Sequence, residues 1–190
     1  MAFLNYYYIP SQMDSDICNK IVEKYYDPSI LKPSFVTKKN VLNTEIRKSS
    51  QTWLPSDCWV AGMLKHFIES ANINYYNFDL TGWKDGIQFT VYDPPDNRYN
   101  WHIDMYEADS ESNSENNMIR KLTIVMGLSS AKDYGGGEFQ IIFPTKKVKT
   151  LKFNTGDVIM FPSTIPHRVR PVKWGRRISL VGWYGGPPFR

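Results

Sequence analysis

The chain has 190 residues, 42% of them hydrophobic and 15% aromatic, and a formal net charge of +4. This length suits one domain that buries roughly 70% of the surface its unfolded chain exposes, so no disulfide or structural metal is needed to hold a core. The mild charge neither demands nor excludes an anionic partner. No apolar run approaches the ~20 residues of a membrane span, and the first ten residues lack the basic start and apolar stretch of a signal peptide. Cys18 and Cys58 lie far apart without metal spacing and read as reduced thiols, so the expectation is a soluble, cytoplasmic protein with no membrane partner.

In chain order, residues 3–9 form a short aromatic strand, and Asp14 or Ser15 caps a helix to about Tyr26 with Ile17, Ile21, Val22 and Tyr25 on one face. Residues 29–50 are polar and basic, a solvated loop or edge hairpin, although 46–54 look more like a strand. Ser56 is expected to cap a second helix to about Ala71, with Val60, Leu64 and Phe67 inward. His66 lies on that helix and is given no role.

From residue 75 onward the pattern turns to short β-rich runs separated by turns: 76–80, 86–92, 99–103, 121–128, 138–143, 147–153, 157–161, 167–172 and 177–184. Many short strands at this spacing argue for a sandwich or barrel, and helices first with strands after put the helices on one face of a sheet. The expected organisation is one domain over 1–190: a helical support region, 1–74, and a strand-dense core, 75–190. The acidic, polar stretch 107–117 cannot pack a core and is expected to be a mobile loop at the rim of the site, with a lid role as one hypothesis. Gly135-Gly136-Gly137 lacks a following Lys-Ser/Thr and reads as a hairpin turn, not a phosphate loop.

The chemistry centres on Asn100-Trp101-His102-Ile103-Asp104. A histidine and a carboxylate two residues apart in extended chain point to the same side and can reach one metal ion. His167 opens a β run after the Pro162–Pro166 turn and is the expected third ligand. Two imidazoles and one carboxylate with open positions is the arrangement of non-haem Fe(II) oxygenases. Taken singly, either histidine reads equally well as a hydrogen-bonded core or surface residue.

Ten residues after His167, Arg177 begins the last strand, expected beside the ligand strand in a hairpin. A guanidinium there can grip a carboxylate bidentately, or form a surface ion pair. Ser179 shares its face, and the phenol of Tyr92 could donate to a bound acid or simply pack in its strand.

The set His102-x-Asp104, His167 and Arg177 resembles the 2-oxoglutarate- and Fe(II)-dependent oxygenases, and more narrowly their prolyl 4-hydroxylase branch. Tyr92 ten residues before His102, Gly136-Gly137-Glu138-Phe139, Pro162-Ser163, and the run from His167 through Pro171 and Gly175 to Arg177 carry the likeness, together with Trp183 and the segment Arg47 to Trp53. The resemblance implies a mainly β fold with flanking helices (α+β), a double-stranded β-helix or cupin-like jelly-roll. It implies Fe(II) on His102, Asp104 and His167, and 2-oxoglutarate anchored by Arg177 with Tyr92 or Ser179. It also implies O2 as oxidant, release of succinate and CO2, and ascorbate as an auxiliary. Phe139, Val125 and Trp183 are expected on the pocket wall, with Arg47 on the substrate side.

The implied partner is a peptide or protein whose prolyl residue is hydroxylated, with a free amino acid or other small molecule as the alternative. Oligomeric state is left open. Nucleic acid is disfavoured, because demethylases of this chemistry carry a second arginine where Trp183 stands. Arg177 at the anchor departs from collagen-type enzymes, which have lysine. The stretch 122–127 lacks the tyrosine that hypoxia-type enzymes use on the cosubstrate. From other classes, a non-catalytic jelly-roll binding module and a zinc hydrolase compete; a general base for the hydrolase is not evident.

Overall fold

The computed structural model describes residues 4–34, 43–105 and 118–189. Within them the chain forms β1 (Tyr7–Ile9), α1 (Ser15–Tyr25), β2 (Lys32–Pro33), β3 (Arg47–Lys48), β4 (Ser50–Leu54), α2 (Trp59–Ala71), β5 (Gly82–Trp83), β6 (Ile87–Tyr92) and β7 (Arg98–His102). Then follow β8 (Ile119–Gly127), β9 (Tyr134–Gly136), β10 (Phe139–Ile142), β11 (Val148–Leu151), β12 (Val158–Pro162), β13 (His167–Val169), β14 (Val172–Gly175) and β15 (Arg177–Gly186).

Two antiparallel sheets make the body. One runs β1-β12-β8-β15-β6-β4-β2 with β5 added on β15; the other runs β11-β10-β13-β7-β3; β14 and β9 pair as a separate ribbon. The period-2 pattern explains the layering. On β6, Ile87, Phe89 and Val91 join Leu122, Ile124 and Met126 of β8 and Leu180 of β15 in a core shared with Cys18, Ile21, Val60, Leu64 and Ile68 of the helices. The intervening residues Tyr92, Val125, Ile159 and Phe161 face the second sheet and pack with Tyr99, Phe139, Ile141 and Val169. The order is helices, eight-stranded sheet, five-stranded sheet: a double-stranded β-helix with the helices outside.

Several expectations need correction. The strand expected at 76–80 does not form; α2 runs on into a π-helical turn, Asn72–Tyr76. Asn77 then adopts the left-handed conformation (φ 51°), and the Asn72 side chain bonds both the N–H and the carbonyl of Phe78, which fixes a turn rather than a ladder. Ser56 does not cap α2; Cys58 precedes it without a side-chain cap bond. On α1, Asp14 is the cap, through Asp16 N, while Ile17 is exposed and Cys18 takes the inward place. The glycine run is not only a turn, because Gly135 and Gly136 belong to β9. The stretch 107–117 lies outside the described residues. Among those described, no helix is long and apolar enough to cross a membrane.

Two further differences position the site. The run 46–54 splits at Ser49: β3 pairs with β7 in one sheet and β4 with β6 in the other. The run 167–172 splits at Pro171, which has no N–H for a ladder, and Val172 N donates instead to the Asn97 carbonyl at 2.9 Å. As a result Arg177 is not on a hairpin with the His167 strand. Its strand, β15, lies in the other sheet between β6 and β8.

Candidate functional site

His102 ends β7 and His167 begins β13, and they are register partners. Their rings lie 4.1 Å apart at 57°. Asp104 stands beyond the end of its strand, where the N–H groups of Asp104 and Met105 both donate to the Ser163 carbonyl, at 2.9 and 3.0 Å. This turns the carboxylate inward. Asp104 Oδ1 lies 3.6 Å from His102 Nε2, and its Oδ2 lies 3.3 Å from His167 Nε2. The three ligating atoms sit within 4.8 Å of one another, an arrangement that could hold a metal ion.

The imidazoles are oriented through their other nitrogens. His102 Nδ1 lies 2.8 Å from the Asn100 carbonyl, and His167 Nδ1 lies 3.0 Å from that of Ile165. A carbonyl only accepts, so each Nδ1 carries a hydrogen, and each Nε2 is turned toward the centre. Burial and the neighbouring His167 push the His102 imidazole down to about 3, so it is neutral near neutral pH. Burial alone would raise the Asp104 carboxyl, but His167 and His102 outweigh it and hold it well below the usual carboxylate range. Two imidazole nitrogens and a buried carboxylate converging on one point fit a divalent cation.

A residue not singled out in the sequence completes this centre. Thr123, on β8 of the facing sheet, donates to Asp104 Oδ2 at 2.9 Å. Ser163 Oγ lies 2.9 Å from Thr123 Oγ1 and donates to it, since the threonine hydrogen is already used. The signal was present: Thr123 is two residues from Val125 and shares its face.

Across from the centre, one face of β15 contributes Arg177, Ser179, Val181 and Trp183 to a cavity of about 1170 Å³ that also contains His102, Asp104 and His167. Tyr92, Val125, Phe139 and Arg47 line it as well. Arg177 is 2% exposed. Its Nη1 donates to Ser179 Oγ at 3.1 Å, and the guanidinium stands 5.2 Å from the Tyr92 ring and 5.7 Å from that of Phe153. Its Nε is buried without a hydrogen-bond partner among the described residues. A buried cation held by the Ser179 hydroxyl, the Tyr134 phenol and two aromatic rings, with no carboxylate partner among the described residues, fits the carboxylate of a bound acid. Behind it sits Gly137 (φ +66°), where an added Cβ would lie 3.2 Å from Arg177 Cδ.

Trp183 and Arg47 are tied to neighbours along the same cavity. Trp183 is buried and tilts against the half-exposed Trp53 at 5.9 Å. Arg120 lies 4.0 Å over the Trp183 ring and pairs with Asp85 at 2.7 Å. Arg47, on β3, reaches across the sheets to donate to Gln88 Oε1 on β6 at 2.7 Å.

Comparison with known proteins agrees with this architecture. The family model described as the 2OG-Fe(II) oxygenase superfamily matches residues 87–185. A PKHD-type hydroxylase of Idiomarina loihiensis is 31% identical over 87 residues, 46% of this chain and 39% of that protein. One from Prochlorococcus marinus is 40% identical over 62 residues, 33% of this chain and 28% of that protein. The matched stretch thus spans well under half the length of these curated relatives. A Pseudomonas putida prolyl-4-hydroxylase superposes with a TM-score of 0.72 at 18% identity, covering 95% of this chain and 91% of that one. A prolyl hydroxylase from Trichoplax adhaerens, solved with a hypoxia inducible factor oxygen degradation domain peptide, gives 0.76 at 19%, covering 95% and 83%.

Proposed function

This chain belongs to the 2OG-Fe(II) oxygenase superfamily, and from that membership we propose that it is a 2-oxoglutarate-dependent dioxygenase that hydroxylates a prolyl residue of a peptide or protein. The observation that carries the reading is the placement of Arg177, a buried guanidinium without a carboxylate partner among the described residues, in one cavity with His102, Asp104 and His167.

His102, Asp104 and His167 would hold Fe(II) through Nε2, a carboxylate oxygen and Nε2. When bound, Fe(II) with 2-oxoglutarate and O2 supplies the oxidation: the oxo acid becomes succinate and CO2, and one oxygen atom enters a substrate C–H bond. Arg177 and Ser179 would bind the far carboxylate of the cosubstrate, with Tyr92 beside them. Val125, Phe139 and Trp183 keep water from the reacting centre. Thr123 holds Asp104 in place. Ascorbate is the proposed auxiliary reductant, and the free thiols of Cys18 and Cys58 suit a reducing compartment such as the cytoplasm.

The prolyl substrate draws support from the relatives, which are hydroxylases by name, and from the Trp53–Trp183 pair, since aromatic-lined grooves accept extended proline-containing segments. The test is succinate formation by the protein supplied with Fe(II), ascorbate and 2-oxoglutarate. Stimulation by proline-containing peptides, lost when alanine replaces proline, is the expected result. Basal turnover unaffected by any peptide would turn the reading toward small-molecule substrates.

A further inference from the structure

Two arginines are buried among the described residues, Arg177 at 2% and Arg47 at 6% exposed, and both line the same cavity. Arg98, Arg120, Arg170 and Arg176, less buried, each pair with a carboxylate. The two buried ones have no such partner among the described residues. Arg177 is accounted for by the cosubstrate; Arg47 is not. We infer that Arg47 is the receptor for a carboxylate carried by the substrate, an inference that rests on the oxygenase reading above.

Arg47 is held in advance of any ligand. Its Nε donates to Ser49 Oγ at 3.1 Å, and its Nη2 donates to Gln88 Oε1 at 2.7 Å. The Ser49 hydroxyl is engaged in turn with Ser34 at 2.8 Å, and Gln88 Oε1 also accepts from Thr90 at 3.0 Å. The guanidinium stands 4.5 Å over the Tyr99 ring. These partners are all neutral. They satisfy part of the guanidinium's hydrogen bonding, and the ring offsets part of its desolvation, but none cancels its charge.

Position separates the two cations. Arg177 sits beside Tyr92 and Arg47 bonds Gln88, four residues along the same strand. That interval is about 13 Å in extended chain, so the two guanidiniums are anchored at separate places along the cavity wall. Arg47 is also tied to the metal-ligand set: Tyr99 stacks on His102 with ring centres 3.4 Å apart and planes 12° apart. An anion seated on Arg47 therefore lies one aromatic ring away from a ligand, within reach of a substrate whose target carbon is at the centre. Two sources share this chemistry: the α-carboxylate of a free amino acid or chain end, and the side chain of an acidic residue near the target.

The test is calorimetric binding without oxygen to protein loaded with Fe(II) and 2-oxoglutarate, so that no turnover intervenes. The probes are pairs: free L-proline against L-prolinamide, and acetyl-Ala-Pro-Glu-Ala-amide against its glutamine counterpart. The carboxylate member of at least one pair is expected to bind about tenfold to a hundredfold more tightly, the range of a charge-assisted bond. The discriminating pair identifies the source. Arg47→Gln should abolish the ratio while 2-oxoglutarate affinity stays within about twofold, and Arg47→Lys should recover part of the ratio. Equal binding within both pairs, no binding by either carboxylate probe, or a ratio that survives Arg47→Gln would overturn the inference. Replacing proline by alanine in each probe tests the other reading separately. If the ratio persists and proline gives no advantage, the carboxylate receptor stands and the prolyl substrate falls.

Discussion

The Thr123 hydroxyl lies 2.9 Å from the Asp104 carboxylate, although Thr123 belongs to the eight-stranded sheet and Asp104 follows a strand of the five-stranded one. The proposed metal centre is therefore braced by both sheets. Asp104→Ala should abolish succinate formation while the protein remains folded. Thr123→Val keeps the shape and removes the hydrogen bond. It should weaken metal binding by about tenfold to a hundredfold, as measured by Fe(II) titration under nitrogen.

Arg177→Met should act in opposite directions on ligand and fold. Loss of the cation should raise the KM for 2-oxoglutarate by about tenfold or more. The same change removes a buried charge without a carboxylate partner, so the melting temperature of the ligand-free protein should rise. A lower melting temperature would show that Ser179, Tyr92 and Phe153 already compensate the guanidinium.

Gly137 links the ribbon to the proposed cosubstrate pocket. Its positive φ and its closeness to Arg177 Cδ make Gly137→Ala strained, at a cost of about 1–2 kcal/mol. The expected result is a lower melting temperature together with a higher KM for 2-oxoglutarate. Gly62, with nothing near its Cβ position, is the control at which alanine should disturb neither.

His102 sets a pH dependence. In the fold its imidazole accepts a proton only near pH 3, whereas the unfolded chain takes one at about 6.5. Between these values the unfolded state binds more protons, so stability falls as pH falls, by up to about 1.4 kcal/mol per pH unit. Below about pH 4, Asp104 acts in the same direction, because it stays ionised in the fold. Thermal melts of the metal-free protein from about pH 8 to about pH 4 should show the decline. His102→Gln should flatten it above about pH 4.

Much of this was legible because strands repeat every two residues. Arg177, Ser179 and Trp183 share a parity, as do Tyr92 and Gln88, and placing one places the others. Thr123 was legible in the same way, but a threonine within an apolar strand also reads as ordinary packing until a carboxylate is seen beside it. The sheet that each strand joins was not legible. Ser49 and Pro171 divide runs that look continuous, and only long-range pairing reveals that their halves belong to different sheets. The turn at Asn77 escaped for a related reason: the aromatic residues around it favour strands by composition, while the Asn72 side chain supplies a local alternative that propensity does not count.

One strand carries two incompatible inventories. Along β15, Arg177, Ser179, Val181 and Trp183 face the cavity, while Ile178, Leu180 and Tyr184 belong to the core under the helices. A slip of one residue would exchange them, driving a guanidinium into hydrocarbon and leaving isoleucine where an acid should bind. With β6 paired over residues 177–181 and β8 over 179–184 without interruption, a length change there would shift the register; the ladder to β8 takes up an irregularity only at Tyr184/Gly185. Descendants of this chain can therefore reshape the cavity by exchanging side chains along β15 more readily than by changing the length of its regular stretch.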